Sequence, residues 1–518
     1  MSTPPGGAAV RNTERIAANS FWYGLELFFT IAGALVTSVV VAVRIGPQRL
    51  GYFSFIFLLT NFTAEIGSFG LPMTTRKYMA EYLNRGAADV ARAVYHLALK
   101  IQVLTSAGLT IVALILFVIW GDPAYRAPSV ILILTMAPRM IAFIPSQANN
   151  AAEMMKRNTQ PSMLGATLNI SGTLFAVWMG WGLPGIAAAF MAGALLDTVL
   201  KLWIVHSTLS RTPLGSISPE LRKRMLTFSG QGLVLMILNL LVWDRSDVFV
   251  LKLMNQDIRQ VTFFALAFNI TERILMVPNA LTTSVGATMM AQYGRGAERL
   301  PRLAVEGAKY GFLLVLPLLM GIATISKPLV LLVYRQQYQP MIPVLAIAAL
   351  FAIPKVLIAP PTALLQAVEN QAYLIWVGCV CGIIDISLDF ILTPHHGAIG
   401  AAVANGVAQA AASAAIWWRA YHFFNVDLKL RQFGKIALCG SVMAISVMAV
   451  SYMIPSRVGL AASIAASIIA GVITWAGMLR ITGSINSEDK GRLSSAGRML
   501  PGQIRPAYCR LVDFVAGI

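Results

Sequence analysis

Long apolar runs separated by short polar connections follow one another along almost the whole chain. A helix needs about 20 apolar residues to cross the hydrocarbon core of a bilayer, where it satisfies its own backbone hydrogen bonds. Such runs lie near 19–42, 50–71, 95–119, 128–149, 162–181, 184–205, 226–250, 260–288, 304–325, 341–365, 371–392, 397–420, 434–454 and 458–481. The pattern predicts an all-α polytopic membrane protein with about 14 transmembrane helices.

Composition excludes several other classes of protein. Of the 518 residues, 57% are hydrophobic and 12% are charged, whereas a soluble domain has roughly 25% charged residues. A soluble enzyme, a disordered chain and a nucleic-acid-binding domain are therefore excluded, and the net charge of +18 is attributed to basic loops beside a membrane. Cys379 and Cys381 fall on different faces of an apolar helix, so we expect no metal site and no cofactor.

The lysines and arginines of the loops alternate from one side of the membrane to the other. With the N-terminus inside, the inside segments hold 26 of them and the outside loops hold 8. Because basic loops stay on the cytoplasmic side, the sequence predicts cytoplasmic N- and C-termini and an even number of spans. A miscounted span would destroy this alternation.

An internal repeat divides the chain. Four pairs of segments match in the same order, at offsets of 208 to 216 residues. They are MAEYLNRG at 79–86 with MAQYGRG at 290–296, TNFTAEIG near Asn61 with FNITERIL near Asn269, Pro138-Arg139 with Pro354-Lys355, and GLPGIAAA at Gly182 with GAIGAAVA at Gly397. A unit of six spans keeps its orientation when duplicated, so two pseudo-symmetric lobes should be related by an axis along the membrane normal.

The repeat predicts four parts of the chain. Residues 1–212 form an N-terminal six-helix lobe, and residues 213–425 form a C-terminal six-helix lobe. Residues 426–482 add two transmembrane helices outside the repeat, and residues 483–518 form a basic cytoplasmic tail. The end of the tail is either an amphipathic helix on the membrane surface or a frayed terminus.

Three short motifs resemble a known family. Asn19 opens the first span, RIGPQRLGYFSF follows at 44–55, and GSFGLP at 67–72 is followed by Arg76 and Lys77. This order resembles the opening of polysaccharide exporters and O-antigen flippases (Wzx-like proteins) of the multidrug/oligosaccharidyl-lipid/polysaccharide (MOP) exporter superfamily. The resemblance implies a MATE-like fold of two six-helix lobes, in agreement with the repeat.

The same resemblance implies a function. Members of that family are flippases, which move a lipid-linked saccharide precursor across the bacterial inner membrane. The expected partners are a polyprenyl-diphosphate-linked saccharide, membrane lipids and, in one interpretation, other polysaccharide-assembly proteins, but no nucleic acid. Two lobes that face each other across a cavity would allow alternating access.

Ionisable residues at membrane depth need a partner or a function, because each costs at least about 2.5 kcal/mol on insertion scales. Arg139, Glu272, Arg273 and Lys355 fall near mid-depth in spans 4, 8 and 10. The functional interpretation is that Arg139, Arg273 and Lys355 bind the diphosphate of the substrate, since arginine offers a bidentate fork and lysine a point charge. The alternative is that these cations are neutralised inside the helix bundle, Arg273 by Glu65 and the others by unidentified partners.

Acidic residues in the spans are candidates for ion coupling or gating. They are Glu26, Glu65, Glu272, Asp385 and Asp389. Asp385 and Asp389 share one helix face, and two neighbouring carboxylates that repel each other suit a proton or Na⁺ site.

Two other groups of intramembrane charges are interpreted structurally. Asp197 and Lys201 are four residues apart and are expected to form an ion pair within span 6. Asp244, Arg245 and Asp247 lie toward the outer end of span 7, where we interpret them as an interfacial cluster in contact with water rather than an outer gate.

Three other functions stay open at this point. A cation-coupled multidrug antiporter has the same fold and would be indicated by a cavity lined with acids. A membrane-embedded polysaccharide polymerase or ligase is disfavoured because the outside loops are short, and a scaffold for polysaccharide assembly agrees equally with the loops. The sequence has neither a sign of catalysis nor a nucleotide-binding loop. We therefore expect a protein that is not an enzyme and that draws any energy from an ion or substrate gradient.

Overall fold

The computed structural model describes residues 33–515 apart from 153, 211, 244–245, 255–256, 293–299, 369, 425–428, 455–458, 486–488 and 492–504. Asn19 and Glu26 lie outside these described residues. The described residues form helices and their connections, and none of them is in a β-strand. The all-α prediction is therefore confirmed.

The helices fall into two compact units, Met1–Asp244 and Arg245–Ile518. The first unit contains α1 (Gly33–Ile45), α2 (Pro47–Ile66), α3 (Leu71–Asn84), α4 (Ala88–Trp120), α5 (Arg126–Ala151), α6 (Lys156–Trp178), α7 (Gly182–Leu209) and α8 (Pro219–Trp243). The second unit contains α9 (Ser246–Met254), α10 (Arg259–Gln292), α11 (Leu300–Val333), α12 (Met341–Val356), α13 (Ala359–Ala367), α14 (Gln371–His396), α15 (Ala398–Phe424), α16 (Leu430–Met453), α17 (Leu460–Thr482) and α18 (Arg505–Val515).

Of the first predicted span, the structure describes only residues 33–42, which lie in α1, and each later span corresponds to one helix or to two consecutive helices. The pairs are α2 with α3, α8 with α9, and α12 with α13. Among the described residues, nine helices are long and apolar enough to cross a bilayer, and the bent α2–α3 pair adds a tenth span. Several of them expose apolar side chains, as α4 does with Ile115, Val118 and Ile119. The chain is a multi-pass membrane protein.

The first unit includes α8, which the internal repeat assigns to the second lobe. It does so because α8 packs against α2 and α3. In the second unit, α16 and α17 pack against each other and against α11, where Leu316 contacts Ile436 in a buried cluster. The division of the chain into two repeated lobes and two added helices stays a prediction.

The end of the tail is a helix that packs on the second unit. Val515 of α18 is buried in a cluster with Cys439 and Leu479. Earlier in the tail, Asp489 accepts hydrogen bonds from Lys309 Nζ at 2.5 Å and from Tyr310 Oη at 2.7 Å. Residues Arg505–Val515 therefore form a helix rather than a frayed terminus, and its position on the membrane surface stays a prediction.

A sharp turn joins α2 to α3, which are bent by 41°. Phe69 and Gly70 both have positive φ angles, of 51° and 68°. Ser229 of α8 donates a hydrogen bond to the carbonyl of Phe69 at 2.5 Å, and a Cβ at Gly70 would lie 2.3 Å from the Ser229 carbonyl oxygen. Glycine is therefore required at position 70 both by the backbone angle and by the close approach of α8.

Replacing Gly70 by alanine should destabilise the protein more than the same change at Gly86. Both glycines have positive φ angles, but a Cβ at Gly86 would meet nothing within 4 Å. Each substitution costs about 1–2 kcal/mol for the left-handed backbone, and only Gly70→Ala adds an overpacking cost of about 1–3 kcal/mol. Thermal denaturation of the purified protein in detergent measures the difference, and equal losses would show that α8 does not constrain the turn.

Candidate functional site

In the first unit, the predicted site residue Arg139 is half-buried near the middle of α5. It donates a hydrogen bond from Nη1 to Oδ1 of Asn61 on α2, and its guanidinium lies 5.6 Å from the centre of the Phe57 ring. Glu65 and Asp197 add electrostatic attraction. Because its direct partners are a neutral amide and an aromatic face, the positive charge of Arg139 is retained.

The helix that carries Arg139 is held by its neighbour α7. Thr198 of α7 donates a hydrogen bond to the carbonyl of Pro138 at 2.8 Å. One residue earlier, Asp197 forms an ion pair with Lys201 at 2.8 Å, so that prediction is confirmed. These contacts position the backbone beside Arg139 while Asp197 is bound to another cation.

In the second unit, the predicted site residue Lys355 has a direct acidic partner. Its Nζ lies 3.0 Å from Oε1 of Glu272 on α10 and 5.3 Å from the centre of the Phe268 ring. The side chain of Lys355 is 17% exposed and that of Glu272 is 42% exposed. The partner that sequence analysis left unidentified for Lys355 is therefore Glu272, and the pair is open to its surroundings on the side of the carboxylate.

The helix is interrupted directly after Lys355. Helix α12 ends at Val356 and α13 begins at Ala359. Pro361 lacks the N–H that would bond the carbonyl of Leu357, and the indole of Trp417 on α15 donates to that carbonyl at 2.8 Å. By contrast, α5 continues without a break through Pro138.

Two of the remaining site candidates lie on α10 and α2. Arg273 lies on α10 beside Glu272 and is half-buried, and Glu65 is exposed near the C-terminal end of α2. Glu26 lies outside the described residues. The three proposed cations are thus found on α5, α10 and α12, with Lys355 in an ion pair and Arg139 bonded to an amide.

A buried acidic cluster lies in the second unit. It consists of Asp247 on α9, Asp385 and Asp389 on α14, and Asn405 on α15, all less than 5% exposed. The carboxyl groups of Asp247 and Asp389 are adjacent, and Asn405 Nδ2 donates to Asp247 Oδ2 at 3.3 Å. Within the described residues, both oxygens of Asp389 and Oδ1 of Asp247 receive no hydrogen bond.

The interpretation of Asp247 as part of a water-exposed interfacial cluster is wrong. Helix α9 packs against α14 and α15, which removes Asp247 from the surface. Asp244 and Arg245 lie outside the described residues. Sequence analysis also missed Asn405. A single amide in an Ala- and Gly-rich helix gives no sequence signal, and only the fold places it beside Asp247.

Adjacent buried carboxylates repel each other and lack water to screen them, so they favour binding of a proton or a small cation. Carboxylate and amide oxygens are suitable ligands for a hard cation. In the described part of the chain, no group of three or more His, Cys, Asp or Glu side chains is arranged to hold a metal ion. The cluster fits a proton or a small monovalent cation, because either would relieve the repulsion between its carboxylates.

The fold defines the class of protein. The structure is similar to lipid II flippase MurJ in an inward closed conformation, with a TM-score of 0.70, 14% identity, and coverage of 89% of this chain and 98% of that chain. It is also similar to an inward-facing multidrug resistance MATE transporter of the MOP superfamily, with a TM-score of 0.65, 16% identity, and coverage of 76% and 94%. A MOP superfamily transporter from Pyrococcus furiosus aligns at a TM-score of 0.56, with 16% identity and coverage of 79% and 95%. The chain has the fold of the MOP superfamily transporters.

The family follows from the sequence. Residues 16–293, more than half of the chain, match the family described as "Polysaccharide biosynthesis protein". The chain belongs to this family, as the motifs near its N-terminus indicated. No curated protein matches the chain.

The ion pair of Glu272 and Lys355 should contribute measurably to stability. We expect a coupling energy of about 1 kcal/mol from a double-mutant cycle of Glu272→Gln and Lys355→Met, and partial recovery when the two charges are exchanged. The measurement is thermal or denaturant unfolding in detergent. Arg302 and Glu306 on α11, at the same 3.0 Å separation but with the arginine 60% exposed, form the control pair. A coupling at Glu272 and Lys355 no larger than that of the control would mean that the pair is incidental.

Proposed function

We propose that this protein is a flippase that moves a lipid-linked oligosaccharide or polysaccharide precursor across the bacterial inner membrane by alternating access. The substrate class is a polyprenyl-diphosphate-linked saccharide. Membership of the polysaccharide biosynthesis family and the MOP fold support this proposal. In this proposal both termini are cytoplasmic, in accord with the 26 to 8 distribution of basic residues.

The observation that carries the proposal is the environment of Arg139. A buried arginine whose whole charge is cancelled by a carboxylate has little affinity left for an anion, whereas Arg139 is bonded to the neutral amide of Asn61. The amide orients the guanidinium and leaves donors for a second acceptor, since arginine has five N–H groups. Arg139 is thereby suited to bind a phosphate oxygen.

Lys355 and Arg273 have a different role in this proposal. Lys355 is already bonded to Glu272 at 3.0 Å, so a diphosphate would have to displace or share that carboxylate. With such an exchange of partners, Glu272 would neutralise Lys355 whenever the diphosphate is absent. We infer that Arg139 provides standing affinity for the diphosphate, while Lys355 and the adjacent Arg273 supply charge when Glu272 moves aside.

The acidic cluster of Asp247, Asp385 and Asp389 is proposed as the coupling site. Its carboxyl groups are buried and only partly hydrogen-bonded, so its charge is costly unless a proton or cation is bound. Binding of that ion would change the electrostatics of α9 and α14 together. The chain is proposed to use an ion gradient in this way, without a catalytic step.

A cation-coupled multidrug antiporter is the second candidate function. The same acidic cluster favours it, because it would serve as a coupling site for either kind of substrate. Arg139 disfavours it, since a retained positive charge repels organic cations. A polysaccharide polymerase or ligase has no feature in the described residues that supports it specifically.

Substitution of Arg139 should distinguish these two functions. We expect transport of the lipid-linked saccharide to decrease in the order wild type, Arg139→Lys, Arg139→Ala, with a loss of roughly tenfold or more in the alanine variant, because lysine keeps the charge but loses the planar fork. Proteoliposome assays with the lipid-linked donor measure it.

Arg126→Ala is the matched control, because Arg126 is exposed at the beginning of the same helix. Full activity of Arg139→Ala together with export of lipophilic cations would replace the flippase proposal by the antiporter.

Substitution of Asp389 tests the coupling site separately. Asp389→Asn keeps the shape of the side chain but removes its charge, so we expect transport to lose its response to an imposed proton or Na⁺ gradient. Movement down the substrate gradient should persist. Asp257→Asn is the control, because Asp257 is a partly exposed carboxylate of the same unit that pairs with Arg259. An unchanged gradient response in Asp389→Asn would exclude the cluster from coupling.

A further inference from the structure

A separate cavity lies in the first unit, between the beginning of α4 and the end of α7. Its volume is about 310 Å³. The residues that matter for its chemistry are Arg92, His96 and Leu99 of α4 with Leu202, Trp203 and His206 of α7. The proposed function uses none of them.

One side of this cavity is basic. Arg92 donates from Nε to Nε2 of His96 at 3.4 Å, and another of its guanidinium nitrogens is bonded to the carbonyl of Thr212, which holds the side chain in place. His206 approaches from α7. Among the described residues that line the cavity, there is no aspartate or glutamate. The basic side thus presents three nitrogen-bearing side chains without an opposing carboxylate.

The other side of the cavity is apolar, and the cavity lies at the level of the membrane surface. With 33 residues, α4 is about 50 Å long and exceeds a hydrocarbon core of about 30 Å. The apolar run of this helix begins near residue 95, so the first turns of α4, with Arg92 and with His96 at the edge of the run, extend into the headgroup region. Trp203 is 66% exposed, as expected of an aromatic residue at the membrane interface.

We propose that this cavity binds the headgroup phosphate of an anionic phospholipid. Arg92, His96 and His206 contact the phosphate oxygens, and an imidazole has an N–H donor for them in either protonation state. Leu99, Leu202 and Trp203 contact the glycerol and the first methylene groups of the acyl chains. A free phosphate would use only the basic side and leave the apolar side without a ligand, so the geometry favours the lipid.

The test compares lipids on the purified full-length protein. Thermal stability in detergent is titrated with phosphatidylglycerol, with phosphatidylcholine and with inorganic phosphate. We expect stabilisation by phosphatidylglycerol above that by phosphatidylcholine, and no effect of phosphate at equal concentration. In the double variant His96→Phe, His206→Phe, the apparent affinity for phosphatidylglycerol should fall roughly tenfold, because two donors to a charged group are lost.

Lys100→Gln provides the matched control. Lys100 is an exposed cation on the same helix, but it does not line the cavity. We expect this variant to retain the lipid preference, whereas an equal loss in both variants would show nonspecific attraction to negative charge and overturn the proposal. Stabilisation by phosphate alone would overturn the lipid assignment.

Arg92→Gln serves as a further variant if the double variant fails to fold, with loss of the phosphatidylglycerol preference as its expected result. Because saccharide transport is not measured, failure of this site leaves the proposed function untouched.

Discussion

The bilayer core has no water to hydrogen-bond a stray polar group, and the structure depends on this constraint throughout. Where the chain must interrupt a helix, another helix supplies the missing partner. Ser229 donates to the carbonyl of Phe69 at the turn between α2 and α3, and Trp417 donates to the carbonyl of Leu357 between α12 and α13. Each break is therefore also a point at which two helices are held together.

Charges obey the same constraint in three different ways. Asp197 and Lys201 neutralise each other within one helix, and Lys355 is neutralised by Glu272 on another helix. Arg139 is instead bonded to a neutral amide, which satisfies a donor but retains the charge. The carboxyl groups of Asp247 and Asp389 are adjacent, an arrangement that favours the binding of a proton or a cation. A transporter needs charged groups whose partners are fixed, and it also needs charged groups that can exchange one partner for another.

Local sequence patterns and the structure agree wherever an interaction stays within one helix. The Asp197–Lys201 pair followed from a spacing of four residues, and the shared face of Asp385 and Asp389 followed from the same spacing. Helix α5 is continuous through Pro138, where Thr198 of α7 donates to the backbone, whereas α12 ends two residues after the matching Pro354. The outcome at a proline depends on what packs beside it, which the local sequence does not contain.

The sequence by itself determined the membrane class, the positions of the spans and the charges that lie at membrane depth, because hydropathy and helical spacing act over about twenty neighbouring residues. Only the tertiary structure decided which charges meet. Glu272 and Lys355 are 83 residues apart, and Asp247 and Asn405 are 158 apart. No local pattern encodes such pairings, since they depend on which helix faces come together when the bundle packs. For the same reason the sequence pattern predicted Asp247 at the surface, whereas the fold buries it.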